Sequence, residues 1–327
     1  MTQEDAIAAI EGEEPLDAKE ETWSAIQGYR DAMTYVLALA DDPFFVYGEN
    51  LIRSMHFMML KYDLSKHPGR WRPGSIFVRD DQRQETVYEG PDVDFVPGLM
   101  RELVESLNQS TQAEHAIVRA AMGHLNLAMI HPFSDGNGRM ARCIQTLILA
   151  REGILQPQFC SIEEYLGRNT PDYYDVLAKV GQGKWSPQND ARSWLEFCLK
   201  AHYRQANTLV CRIKETERLW DALEHEISIR RLPERTIFAV ADAAAGYKVR
   251  NATYRGIAEV SDFVASRDLK LLVDSGLLIS DGERRGRYYV ASAFIKGIRA
   301  RTREPRPIAD DPFAEKNGPY LPGLEPV

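Results

Sequence analysis

Residues 131 to 142 read His-Pro-Phe-Ser-Asp-Gly-Asn-Gly-Arg-Met-Ala-Arg, and no other stretch restricts the fold of this chain so tightly. An apolar run ends at Ile130, and a helix-period pattern begins just after Gly138. The segment therefore reads as a loop delivered between two helices, with its glycines at the N-terminus of the second. Free backbone N–H groups and the helix dipole favour an anion there. His131 sits where the first helix meets the loop, and an imidazole that titrates near neutrality suits a general base. Phe133 is expected to pack inward and fix the loop. Asp135 is a hard oxygen ligand of the kind that holds Mg²⁺ together with substrate phosphates. Gly136 and Gly138 let the backbone curl around phosphate oxygens, and Asn137 adds a side-chain donor. Arg139 and Arg142 lie three apart, on one face of the second helix, where both can fork onto terminal phosphates.

Simpler readings account for less. Asp-Gly and Asn-Gly are turn signals in their own right. A turn alone leaves the preceding histidine and the two same-face arginines unexplained. The run also overlaps a calcium-loop pattern, but in that register Phe133 takes the first ligand position and Ile144 the bidentate one, so the EF-hand fails.

The remaining chain is mostly helical in pattern. Residues 23–40, 49–62 and 95–107 carry helical periodicity, and Asp41-Asp42-Pro43 breaks the first from the second. Two short β-prone runs, 75–78 and 85–88, flank a charged stretch and predict a hairpin. Thr111 with Glu114 predicts a capping box opening the helix that leads into the loop. On that helix His124 shares a stripe with Ile117, Ala121 and Ala128, which predicts a hydrogen-bonded core histidine. Cys143, Ile144, Leu147 and Ile148 mark the buried face of the next helix. Residues 194–229 read as one or two long helices. His56, His67, His115, His202 and His225 show no metal-ligand spacing.

At 327 residues the chain has room for one large domain or two ordinary ones. No apolar run reaches the roughly 20 residues of a membrane span. The opening Met-Thr-Gln-Glu-Asp lacks the features of a signal peptide. Cys143, Cys160, Cys198 and Cys211 are scattered, with no CxxC pair. Reduced thiols in a cytoplasmic protein are the expectation. The net charge of −8 hides an asymmetry, because residues 231–303 hold 14 Lys and Arg against 8 Asp and Glu. A basic module on an acidic body points to different partners for the two parts.

Taken together, residues 131–142 resemble the complete Fic-family signature, H-P-F-x-[DE]-G-N-G-R-x-x-R. The hairpin after Pro68, residues 100–108 and Tyr173-Tyr174 agree with that resemblance, which covers roughly residues 1–205. It implies a mainly α fold with a β-hairpin flap, and transfer of AMP from ATP, with Mg²⁺, to a hydroxyl side chain of a target protein. By position His131 resembles the family's base and Asp135 its metal ligand. Gly136, Asn137, Gly138 and Arg139 resemble its phosphate-binding group, and Arg142 the arginine that holds the terminal phosphate. Tyr174 and Leu177 would line the adenine pocket. The hairpin, about residues 76–88, resembles the flap that takes the target segment as an added strand.

Residues 7–12, Ile-Ala-Ala-Ile-Glu-Gly, resemble the family's inhibitory helix, whose glutamate pairs with the second arginine of the signature. Glu11 would then form a forked salt bridge with Arg142 in place of ATP. Ile7 stands where the family carries Ser or Thr. A second role for Glu11, orienting water to remove AMP, is left open. Residues 233–300 resemble a small α+β winged helix-turn-helix, with 260–272 as recognition helix and Arg284, Arg285 and Arg287 on the wing. DNA and protein both stand as partners for it, and a homodimer is left open. Residues 1–30 then form an inhibitory helix and linker, 31–205 the catalytic domain, 206–232 a helical connector and 301–327 a flexible, proline-rich tail. The alternative reading is a nucleotide-sensing, DNA-binding regulator with little turnover.

Overall fold

The fold was derived from a computed structural model, which describes residues 20–80, 85–109, 114–154, 162–282, 286–303 and 312–313. Ile7, Glu11, Thr111, Cys160, Arg284, Arg285 and nearly all of the proline-rich tail lie outside those residues. The chain divides after Ala206, and the second unit is Asn207–Ala309.

The first unit is helical, with one hairpin. Its elements are α1 (Glu20–Ala40), α2 (Glu49–Leu60), β1 (Phe77–Asp80), β2 (Glu85–Glu89), α3 (Val96–Asn108), α4 (Ala116–Ile130), α5 (Asn137–Arg151), α6 (Glu163–Arg168) and α7 (Thr170–Gly181). The long α8 (Arg192–Ile229) begins here. Helix α4 does not start on the expected capping box. Its N-cap is His115, whose Nδ1 accepts the Ile117 N–H at 3.4 Å. Residues 194–229 fall within a single helix. Helix α7 carries Tyr173, Val176, Leu177 and Val180 at helical spacing, whereas α6 is too short for a period to show.

One core is built from α2, α3, α4 and α5, through Ile52, Met59, Met100, Leu127, Ile144 and Leu147. Helix α5 is buried nearly all round, from Met140 and Ala141 through Ala150. Such a helix is held by packing on every side and positions its first turn rigidly. Helix α1 approaches α2 at Gly28, where a Cβ would lie 2.5 Å from the Met59 carbonyl oxygen. A second core in this unit gathers Leu125, Tyr165, Tyr173, Trp194 and Cys198. Cys143 and Cys198 are free and buried, as expected of reduced core thiols.

In the hairpin, Phe77 faces Glu89 and Asp80 faces Glu85, with a register shift between Val78 and Arg79. The outer edge of β2 is already engaged at Glu89. Its N–H donates to the Gly183 carbonyl at 2.9 Å, and its carbonyl accepts the Trp185 N–H at 3.0 Å.

The second unit has its own core, with Leu223, Ile227, Val240, Tyr254, Leu269, Leu272 and Ile295 inside. Around it stand α9 (Ile237–Ala245), α10 (Asn251–Ile257), α11 (Asp262–Asp274), the antiparallel pair β3 (Leu278–Asp281) and β4 (Tyr288–Ala291), and α12 (Ala293–Thr302). Asp268 is fully buried, and Arg235 forks onto it at 2.7 and 3.1 Å while the Tyr254 hydroxyl donates at 3.1 Å. The charge is thus compensated on three sides. No described helix is long and apolar enough to cross a membrane.

Candidate active site

Helix α4 ends because His131 takes a left-handed backbone conformation, with φ 51° and ψ 56°. Its N–H still donates to the Leu127 carbonyl at 3.0 Å. The ring Nδ1 lies 3.0 Å from the Ala128 carbonyl oxygen. A carbonyl only accepts, so Nδ1 carries the proton and Nε2 keeps its lone pair. Burial lowers the proton affinity of the ring. The Ala128 bond opposes that shift, the Arg72 charge adds to it, and Asp135 opposes it. His131 is therefore a neutral imidazole at neutral pH with Nε2 available to take a proton.

Two residues that sequence reasoning passed over hold this arrangement. Arg72 is only 3% exposed. Its Nε donates to the His131 carbonyl at 3.0 Å, Nη1 to Gly74 at 2.6 Å and Nη2 to Pro91 at 2.5 Å. Its backbone N–H donates to Pro132 at 2.8 Å. One guanidinium thus joins the backbone of the base to both ends of the hairpin. His56 works on the other side of the loop. Its Nε2–H donates to the Asp135 carbonyl at 2.9 Å, and its Nδ1 accepts the Gly69 N–H at 2.8 Å. The ring stacks on Phe133 at 3.7 Å between centroids, and burial holds its pKa down to about 4. Phe133 itself is fully buried, as expected.

The loop then turns at Gly136, whose φ is 79°. The backbone conformation favours glycine, and a Cβ there would also crowd Leu60 at 3.1 Å. Asn137 braces the loop from within. Its Oδ1 accepts the Phe133 N–H at 2.9 Å and its Nδ2 donates to the Phe133 carbonyl at 2.8 Å. One of the two amide hydrogens thus ties the loop to itself. The backbone N–H groups of Asn137, Gly138 and Arg139 belong to the first turn of α5, where no intrahelical acceptor exists.

Around that turn the charges are mixed. Asp135 Oδ1 accepts the Gly136 N–H at 2.6 Å, while Oδ2 stands 3.4 Å from Lys66 and 3.6 Å from Arg139. Arg139 and Arg142 are half-buried, like Gly138 beside them, on a helix that is buried from Cys143 to Ala150. Arg142 Nε lies 3.8 Å from Glu163 Oε1 on α6. Burial pushes the Glu163 carboxyl up to about 7. Beneath Arg142 runs a buried polar chain. The Tyr173 hydroxyl donates to His124 Nε2 at 3.0 Å, His124 Nδ1–H to Gln145 at 2.6 Å, and the Gln145 amide to His202 Nε2 at 3.2 Å. His124 is thus the hydrogen-bonded core histidine that the stripe predicted. On α7, Tyr174 is 59% exposed beside Tyr173, and Leu177 packs partly against the adjoining core. Among the described residues no three His, Cys, Asp or Glu side chains gather as a metal site.

Residues 47–149, which hold α2, the hairpin and the whole loop, match the Fic/DOC family model. They form a Fic domain. The chain is 44% identical over 95 residues to protein adenylyltransferase fic-1 of Caenorhabditis briggsae, a match covering 29% of this chain and 18% of that protein. It is 27% identical over 161 residues to protein adenylyltransferase Fic of Nematostella vectensis, covering 47% and 32%. The chain therefore spans less than a third of the length of these relatives. A Fic family protein from Desulfovibrio desulfuricans G20 superposes with a TM-score of 0.54 at 22% identity, over 90% of this chain and 82% of that one. A Fic domain containing signaling protein from Bacteroides thetaiotaomicron gives 0.54 at 20% identity over 65% and 80%. These likenesses establish a mainly helical Fic fold.

Proposed function

We propose that the chain is a protein adenylyltransferase that moves AMP from ATP to a hydroxyl side chain of a target protein. The observation that carries the reading is His131: a neutral imidazole, its Nδ1 committed to Ala128, with Nε2 free beside a phosphate-type helix N-terminus. In the reaction His131 Nε2 takes the proton of the target hydroxyl. The hydroxyl oxygen bonds to the α-phosphorus of ATP, the bond from that phosphorus to the bridging oxygen breaks, and pyrophosphate leaves. The first-turn N–H groups of α5, with Arg139 and Arg142, hold the phosphates and offset the charge that builds on them. Asp135 is a single, partly exposed carboxylate, a donor that fits Mg²⁺ only when nucleotide phosphates complete the shell. When bound, that ion would neutralise phosphate charge.

The target segment docks on the hairpin. With β2 engaged at Glu89, the added strand would pair along the outer edge of β1. Glu11 restrains the site by competing with ATP for Arg142, and Tyr174 and Leu177 line the adenine side. The test is transfer of radiolabelled AMP to the protein itself and to lysate proteins. Wild type labels slowly, Glu11→Gly at least several-fold faster, and His131→Ala not at all. Labelling that survives His131→Ala would sink the assignment of the base. An unchanged rate in Glu11→Gly would remove the restraint.

A further inference from the structure

Arg142 meets a second carboxylate, one that the signature does not contain. Glu163 opens α6, beyond the end of α5, and its Oε1 lies 3.8 Å from Arg142 Nε. The two side chains are 28% and 24% exposed, so water screens their attraction only in part. Nε is the inner edge of a guanidinium, and the two terminal nitrogens form its fork. The fork points elsewhere: a Cβ added at Gly138 would lie 3.5 Å from Arg142 Nη1. Arg142 thus faces the Glu163 carboxylate with its inner edge, at ion-pair distance without a hydrogen bond, while one prong lies over the first turn of its own helix. Its neighbours bound it tightly. Gln145, Thr146, Leu149, Ile162 and His202 line the small cleft between Arg142 and Glu163. Tyr173 closes the other side and is itself fixed by His124.

We propose that Glu163 is a positioning residue for Arg142, holding its guanidinium edge so that the fork faces the phosphates of the nucleotide. The proposal rests on the nucleotide-binding reading above. Because the contact is made through Nε, Glu163 orients the arginine without occupying the nitrogens that a phosphate would use. Glu163 thereby differs from a competing carboxylate, which would have to take the fork. A long arginine carries substantial rotamer entropy, so a fixed edge lowers what remains to be lost on binding.

Calorimetric titration of the full chain with ATP and with AMP at about pH 8.5, where a carboxyl raised to about 7 is ionised, separates the possibilities. Glu163→Gln keeps the shape and removes the charge. It should weaken ATP binding about fivefold, the size of a partly exposed ion pair, and leave AMP binding unchanged, because AMP has no terminal phosphates for Arg142. In an Arg142→Ala background the same substitution should add nothing. If Glu163→Gln weakens ATP and AMP alike, the residue merely supports the fold of the pocket and the proposal is wrong. If it tightens ATP binding, Glu163 is a competitor, and the proposal is also wrong. If Arg142→Ala weakens ATP binding while Glu163→Gln matches wild type, the nucleotide site stands and the positioning role falls. Absence of ATP binding by wild type and the Glu11→Gly variant would overturn the nucleotide reading itself.

Discussion

Asn137 illustrates how one amide can fix a loop. Its two hydrogen bonds close on the N–H and the carbonyl of Phe133, and both it and Phe133 are buried. Asn137→Ala leaves those two backbone groups dry and unpaired, at a cost of about 2–4 kcal/mol. Urea unfolding should register that loss, and a change below about 0.5 kcal/mol would show that the loop is held by other means. Asn137→Asp should also destabilise, since a carboxylate keeps the acceptor but faces the Phe133 carbonyl without a donor.

At the scale of elements, Arg72 makes the hairpin and the catalytic loop one piece. The Tyr88 hydroxyl adds a second tie, donating to the Met129 carbonyl on α4 at 2.7 Å. Arg72→Met removes donors from three carbonyls. It should cost several kcal/mol, about 1–3 for each acceptor left dry, and should lower AMP transfer to a docked target more than it lowers ATP binding. Arg72→Lys should not restore the wild-type state, because one ammonium lacks the planar fork that reaches three carbonyls. Comparison of transfer rates and nucleotide affinities in the two variants checks both statements. Equal losses of transfer and binding would mean that Arg72 serves stability alone. The hairpin itself was legible in the sequence, from two β-prone runs, as were the helix ends around the loop. The ties were not. Arg72 and His56 reach partners 59 and 79 residues away, and no local period announces such pairs. The same limit explains Asn137, whose chemistry as a donor was clear while its target was decided by the turn around it. Glu163 lay in a stretch with little apolar patterning, so neither α6 nor its meeting with Arg142 had a signal.

For the whole molecule, the buried histidines tie folding to pH. Burial holds His56 and His202 at about 4 and His124 at about 3, and all three belong to the first unit. Each is neutral when folded, whereas in the unfolded chain it gains a proton near the ordinary value of about 6.5. Their contribution is therefore complete above about pH 6.5 and declines as pH falls toward 4. By pH 5 the loss is roughly 2 kcal/mol for each ring. Urea midpoints measured at pH 7.5, 6 and 5 should fall progressively, and His124→Gln should flatten part of the trend. A midpoint that holds steady down to pH 5 would contradict the neutral, buried state of these rings.

The left-handed turn at His131 has a practical corollary. A side chain at φ 51° costs about 1 kcal/mol that glycine would not incur. Laboratory selection for thermal robustness alone would thus be pulled toward glycine at this position, and each step along that path would trade away the proton acceptor. Libraries screened for heat tolerance should hold residue 131 constant, or the hardiest clones will be the silent ones.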